Sequence, residues 1–90
     1  MEVESALVDH PSVAEAAVFG APDERLGEVP VAVVLPAEGT NLSEDDLRTF
    51  LDGRVAAFKV PERFIFVSDN LPRLGTGKID RVALKAQYAA

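Results

Sequence analysis

The run Pro72-Arg73-Leu74-Gly75-Thr76-Gly77-Lys78-Ile79-Asp80-Arg81 sets one lysine in a glycine-framed turn, between an apolar segment and a C-terminal helical one. An ammonium on a long side chain can be brought to phosphate or carboxylate oxygens and offset negative charge that builds up as they react. Gly75 and Gly77 can both take positive φ and let the backbone approach a ligand closely. A Walker-type phosphate loop is excluded, because it would need glycine at position 72 and a hydroxyl residue at 79, where Pro72 and Ile79 stand. The plain alternative is a flexible surface turn whose lysine is solvated or paired with Asp80.

Other chemistry is sparse. There is no cysteine, so disulfides and thiolate metal sites are excluded. His10 is the single histidine, and the carboxylates are scattered, so no metal-ligand set is expected. His10 precedes Pro11 and reads as a helix-terminal residue near the negative end of the helix dipole, not as a catalytic base.

Charge is distributed unevenly. Residues 1–70 carry five basic and fourteen acidic side chains, a balance of −9. Residues 71–90 carry Arg73, Lys78, Arg81 and Lys85 against Asp80, a balance of +3. An acidic body thus bears a basic end that contains the glycine turn. The net charge of −6 argues against nucleic acid or an anionic membrane as a general partner. No segment approaches the ~20 apolar residues of a transmembrane helix, and the acidic start is unlike a signal peptide. These features read as a soluble cytoplasmic protein.

Ninety residues, 48% of them hydrophobic, suit one small domain with a single core. Glu2 to Asp9 reads as a short helix and Val13 to Phe19 as a strand, with Gly20-Ala21-Pro22-Asp23 opening a loop that reaches Gly27. Val29 to Leu35 is apolar and β-branched, fit for a strand buried on both faces, with Pro30 at its beginning. Ser43 is an N-cap for a helix carrying Leu47, Phe50, Leu51 and Val55, and Gly53 falls inside that helix, weakening it. Arg63 to Val67 reads as a third strand, and Asp80 to about Ala89 as a last helix with Leu84 and Tyr88 inward. The expected fold is α+β: a two-layer, three-stranded mixed sheet with helices packed on it, in the order αββαβα. Strand order 2-1-3 is expected, the first strand antiparallel to both neighbours.

The lysine run resembles the C-terminal lysine motif of adenylate-forming enzymes, Pro-(Lys/Arg)-x-x-x-Gly-Lys-(Ile/Val)-x-Arg. Three further segments agree in order and spacing. His10-Pro11-Ser12-Val13-Ala14-Glu15-Ala16-Ala17-Val18 is similar to the family's "HPxVxEAAV" opening. Pro22-Asp23-Glu24-Arg25-Leu26-Gly27-Glu28 is similar to its "PDxxxGE" loop, and Phe58-Lys59-Val60-Pro61 to its "YKxP" segment, with phenylalanine for tyrosine. Nearly all ninety residues are covered. The Gly-Glu pair is closer to acyl- and aryl-CoA synthetases than to peptide-synthetase adenylation domains.

The resemblance implies the small C-terminal lid of a larger AMP-forming acyl-CoA ligase, of the kind that serves fatty acid metabolism. ATP, Mg²⁺ and the carboxylic acid would be held by a large N-terminal domain that this sequence lacks. The isolated lid would not turn over. The resemblance casts Lys78 as the catalytic and ATP-binding residue, with Gly77 beside it. A lysine touching both carboxylate and α-phosphate oxygens would contribute on the order of 3–4 kcal/mol. The lid would then rotate and offer another face to coenzyme A, for which Gly27, Arg54, Lys59, Val60 and Pro61 are candidates. Asp52 stands where relatives often place a basic residue for that contact. Two alternatives stay open: the adenylation lid of a peptide synthetase serving a carrier protein, and a stand-alone interaction module without catalysis.

Overall fold

The computed structural model describes residues 2–25 and 27–88, and its elements follow the αββαβα order: α1 (Glu2–Val8), β1 (Val13–Asp23), β2 (Gly27–Pro36), α2 (Glu44–Leu51), β3 (Arg63–Phe66) and α3 (Arg81–Tyr88). The helices form where apolar residues recur at helical spacing and stop where chemistry demands it. Ser43 accepts from the Asp46 N–H at 3.2 Å while Asp46 Oδ2 accepts from the Ser43 N–H at 3.0 Å, a reciprocal cap for α2. These bonds hold the Asp46 carboxyl below its ordinary value. Gly53 corrects the expectation of a glycine within the helix. It lies beyond Leu51 with φ +81, in the left-handed region that favours glycine.

Strand order is β1-β2-β3, with β1 antiparallel and β3 parallel to β2. The expected order 2-1-3 is therefore incorrect. Val31 to Val34 of β2 are wholly buried, so the most apolar strand takes the centre, where both faces and both edges are covered. β1 bears the marks of an edge. Its Val18 N–H donates to Glu4 Oε2 at 2.6 Å, and its Val18 carbonyl accepts from Arg81 Nη1 at 3.0 Å. Residues of the same parity turn their main-chain groups to the open side, Pro22 among them, so its missing N–H leaves no ladder bond unmade. That is why β1 runs on through Gly20 to Asp23 instead of turning at Gly20. The turn proper is Asp23 to Gly27, where Asp23 Oδ1 accepts from the Arg25 N–H at 2.9 Å and Gly27 takes φ +80. Pro30 sits inside β2, not at its start. Its side toward β3 lies just beyond the first pair, Val31 with Arg63.

Alternation along β1 and β2 builds two apolar clusters. Ala16, Val18, Ala32 and Val34 pack under α1 and α2, with Leu7, Leu47 and Leu51. Ala17, Phe19, Val31 and Val33 pack with Leu71 and with Leu84 of α3. Helices thus cover both faces, three layers where two were expected. The cause is that both parities of β1 and β2 are apolar. Among the described residues no helix is long and apolar enough to cross a membrane.

Candidate functional site

Residues 72–80 fold back on themselves as a small hairpin. Arg73 and Ile79 bridge as an antiparallel pair, and the Asp80 N–H donates to the Pro72 carbonyl at 2.9 Å. Buried Leu71 and half-buried Ile79 root its base in the cluster beneath α3. At the tip, the Leu74 N–H donates to the Lys78 carbonyl at 2.8 Å and the Gly77 N–H to the Leu74 carbonyl at 2.9 Å. Gly77 alone of the two framing glycines has positive φ, +90. Asp80 then opens α3, its Oδ1 accepting from the Ala83 N–H at 3.0 Å. The backbone around Lys78 is consequently better held than a glycine-framed surface turn suggests.

The side chain is a different matter. Lys78 is exposed, and among the described residues its ammonium makes no hydrogen bond or ion pair; the pairing with Asp80 is not made. The other three cations of the basic end are engaged with the acidic body. Arg73 pairs with Glu15, Arg81 with Glu4, and Lys85 with Glu28 at 3.9 Å. The cations of the basic end are thus largely bonded within the molecule, tying α3 and its approach to α1 and the sheet. What remains outward is one ammonium.

Arg81 does more than start α3. Its Nη2 donates to Glu4 Oε1 at 2.6 Å and its Nη1 to the Val18 carbonyl, joining α3, α1 and the open edge of β1. Burial alone would raise the Glu4 carboxyl, but the Arg81 guanidinium and the Val18 N–H outweigh it and hold Glu4 below its ordinary value. The same pair raises Arg81. Arg73 is likewise two-handed: its Nη1 donates to the Gly77 carbonyl at 2.8 Å and its Nη2 to the Glu15 carboxylate. Sequence reasoning gave Glu15 no role. The signal was a lone acid inside an otherwise apolar strand, matched by an arginine in the lysine motif.

Gly27, Lys59 and Pro61 lie toward the opposite end of the sheet, near Pro30, whereas Arg54 sits on the α2 side near His10 and the start of β1. A single 3₁₀ turn, Ala57–Lys59, links α2 to β3. Lys59 Nζ pairs with Glu2 Oε2 at 2.8 Å, and the Arg54 guanidinium lies 4.0 Å over the Phe50 ring. Phe50 in turn meets His10 edge to face at 4.7 Å. Val60 is half-buried against the cluster under α1 and α2, and Pro61 is fully buried. Asp52 and Val60 line one shallow groove with Arg48 and Val55. Phe58 and Lys59 share another with Pro30, which is three positions along β2 from exposed Gly27. Lys78 is not among them. Its hairpin is tied through Arg73 to Glu15, which pairs with Leu35, eight positions from Gly27 along β2. At a strand rise of about 3.3 Å per residue, those rows are roughly 26 Å apart. Leu26 lies outside the described residues.

A family description, "AMP-binding enzyme C-terminal domain", matches residues 2–78. Oxalate–CoA ligase from Arabidopsis thaliana is 46% identical over 81 residues, which cover 90% of this chain and 16% of that protein. Fatty acid–[acyl-carrier-protein] ligase ScoC from Streptomyces coeruleorubidus is 48% identical over 87 residues, covering 97% of this chain and 17% of that protein. The crystal structure of apo MatB from Rhodopseudomonas palustris superposes with a TM-score of 0.90 at 40% identity, over 98% of this chain and 17% of that one. The chain spans about a sixth of the length of the curated relatives it matches.

Proposed function

The chain belongs to the family of AMP-binding enzyme C-terminal domains, and from that premise we propose that it is the lid of an ATP-dependent acid–thiol ligase, with Lys78 as its catalytic residue. The observation that carries this reading is the contrast within the basic end: Arg73, Arg81 and Lys85 are paired, while Lys78 projects from a firm hairpin with no partner for its ammonium among the described residues.

In the proposed first half-reaction a substrate carboxylate oxygen attacks the α-phosphorus of ATP. The bond to pyrophosphate breaks, and an acyl-adenylate forms. Both reactants are anions, so charge of one sign accumulates where they meet. An ammonium set between the carboxylate and α-phosphate oxygens is attracted more strongly by the transition state than by either reactant alone. Gly77, with no side chain and φ +90, lets the backbone next to Lys78 come close to ATP. The ATP pocket and the acid pocket belong to a large domain preceding the lid. Any Mg²⁺ is assigned there too, since among the described residues no three of His, Cys, Asp or Glu come together as ligands.

In the second half-reaction a thiol attacks the adenylate carbonyl and AMP leaves. The lid supports this step with a surface away from the lysine hairpin, to which Gly27, Arg54, Lys59, Val60 and Pro61 are assigned, so that turning the lid would exchange one surface for the other. Coenzyme A is the proposed thiol. Both acceptor types occur among the relatives, one named for CoA and one for an acyl-carrier protein, and the Gly27-Glu28 pair favours the former. A role in fatty acid metabolism and a cytoplasmic location belong to the same proposal.

The test is complementation in trans. The 90-residue chain is mixed with a separately produced large domain and ATP–pyrophosphate exchange is followed. Exchange should rise with added lid and should not rise with the Lys78→Ala lid. Equal exchange with both lids would remove Lys78 from the mechanism.

A further inference from the structure

We infer that Glu15 and Arg73 are positioning residues for Lys78, forming a brace that fixes the peptide from which the lysine side chain departs. The inference rests on the functional reading of Lys78 given above. Arg73 divides its terminal nitrogens: one grips the Glu15 carboxylate on the sheet, and the other donates to the Gly77 carbonyl at 2.8 Å. That carbonyl belongs to the Gly77–Lys78 peptide plane, so holding it sets the direction in which the Lys78 Cα–Cβ bond points. The Leu74 N–H holds the plane on the other side of Lys78 through its carbonyl, at 2.8 Å. Lys78 therefore leaves the chain between two fixed planes although its own ammonium is unbound.

Each part suits that role. Glu15 sits on β1 beside the irregularity between Val13 and Glu15, and its side chain is only 18% exposed, so the anchor is a strand and not a loop. Gly77 at φ +90 could otherwise sample wide backbone space. The planar fork of an arginine can serve a carboxylate and a carbonyl at once, which a lysine ammonium at position 73 would do with poorer geometry. Arg73 is substantially exposed, so the pair contributes little to global stability. Its effect falls on geometry, where displacement by about 1 Å can cost up to a hundredfold in rate.

Two measurements test the brace. On the 90-residue chain, backbone ¹⁵N relaxation should give Gly77 and Lys78 amide order parameters near the rigid value of about 0.85, falling below about 0.6 in Arg73→Gln. Leu47 and Leu84 amides should not change. Unaltered order at Gly77 and Lys78 in the variant would overturn the inference. In the ligase carrying this domain, Glu15→Gln and Arg73→Gln should each slow adenylation kcat roughly ten- to a hundredfold, with KM for ATP within about twofold. The double variant should be no slower than the slower single one, because both act through one brace. Arg73→Lys should keep Tm but regain only part of the rate. A full adenylation rate in Arg73→Gln, or equal loss in adenylation and thioester formation that tracks a lowered Tm, would also overturn it. Should Lys78→Ala leave adenylation intact, the functional reading falls, and the relaxation result still decides the brace.

Discussion

The two ends of this sheet handle their cations in opposite ways. In the connection from α2 to β3, the cations are engaged close to home: Lys59 with Glu2 and Arg54 over Phe50, while Pro61 is packed into the core. In the hairpin before α3 the backbone is what is engaged, through Arg73, Leu74 and Ile79, and the Lys78 side chain is left outward. A rigid main chain with an uncommitted charge suits an encounter with an anion. Charges already bonded to their neighbours suit a shaped surface over which a partner passes. The difference teaches that residue type alone does not nominate a site: Lys59 and Lys78 are both exposed lysines, and only their partners separate them.

The comparison can be broken most forcefully from beneath the hairpin. Leu84 is fully buried in the cluster that roots Leu71 and Ile79, so Leu84→Ala should lower stability by about 2–5 kcal/mol in urea unfolding. Lost amide protection should be greatest at α3 and the lysine hairpin. Loss confined to α1 and α2 would show that the two ends do not have separate foundations.

A smaller effect comes from the tie between α3, α1 and the open edge of β1. Arg81→Met leaves Glu4 without its cation and should cost on the order of 1–3 kcal/mol. Because Glu4 is held below its ordinary value near 4.5, its contribution is complete above that pH and fades as pH falls through the lower folded value. Wild-type and Glu4→Gln proteins should therefore differ in stability at neutral pH and converge in acid. A gap of constant size from pH 7 to pH 2 would contradict the assignment. The smallest change is expected at the opposite end. Lys59→Met removes an exposed pair with Glu2 and should move stability by less than about 1 kcal/mol, with adenylation unaffected within twofold. A large loss of adenylation there would erase the distinction between the two lysines.

Much of this was legible in the chain. Ser43 announced α2, Leu84 and Tyr88 announced the buried side of α3, and the glycine-lysine run announced the hairpin, because each signal is local. What escaped notice was long-range. The open edge of β1 is closed by Glu4 and Arg81, 77 residues apart, and no periodicity reveals that closure. The expected order 2-1-3 gives β1 a strand on both sides, whereas in the fold side chains of α1 and α3 occupy one of them. Gly20 to Pro22 read as a turn because glycine and proline usually interrupt strands, yet an edge strand tolerates a missing N–H on its open side. The brace on Lys78 lay in two separate motifs, and only the fold brings Glu15 to Arg73.

The most direct measurement takes Lys78→Ala in the proposed full-length ligase and follows the two half-reactions separately. Adenylation by single-turnover ATP–pyrophosphate exchange should fall a few hundredfold, the loss of about 3–4 kcal/mol of transition-state stabilisation. Thioester formation from supplied acyl-adenylate and coenzyme A should stay within about twofold of wild type, since the proposed thiol-step surface does not include Lys78. Equal loss in both halves, or adenylation at the wild-type rate, would contradict the assignment of Lys78 to the first half alone.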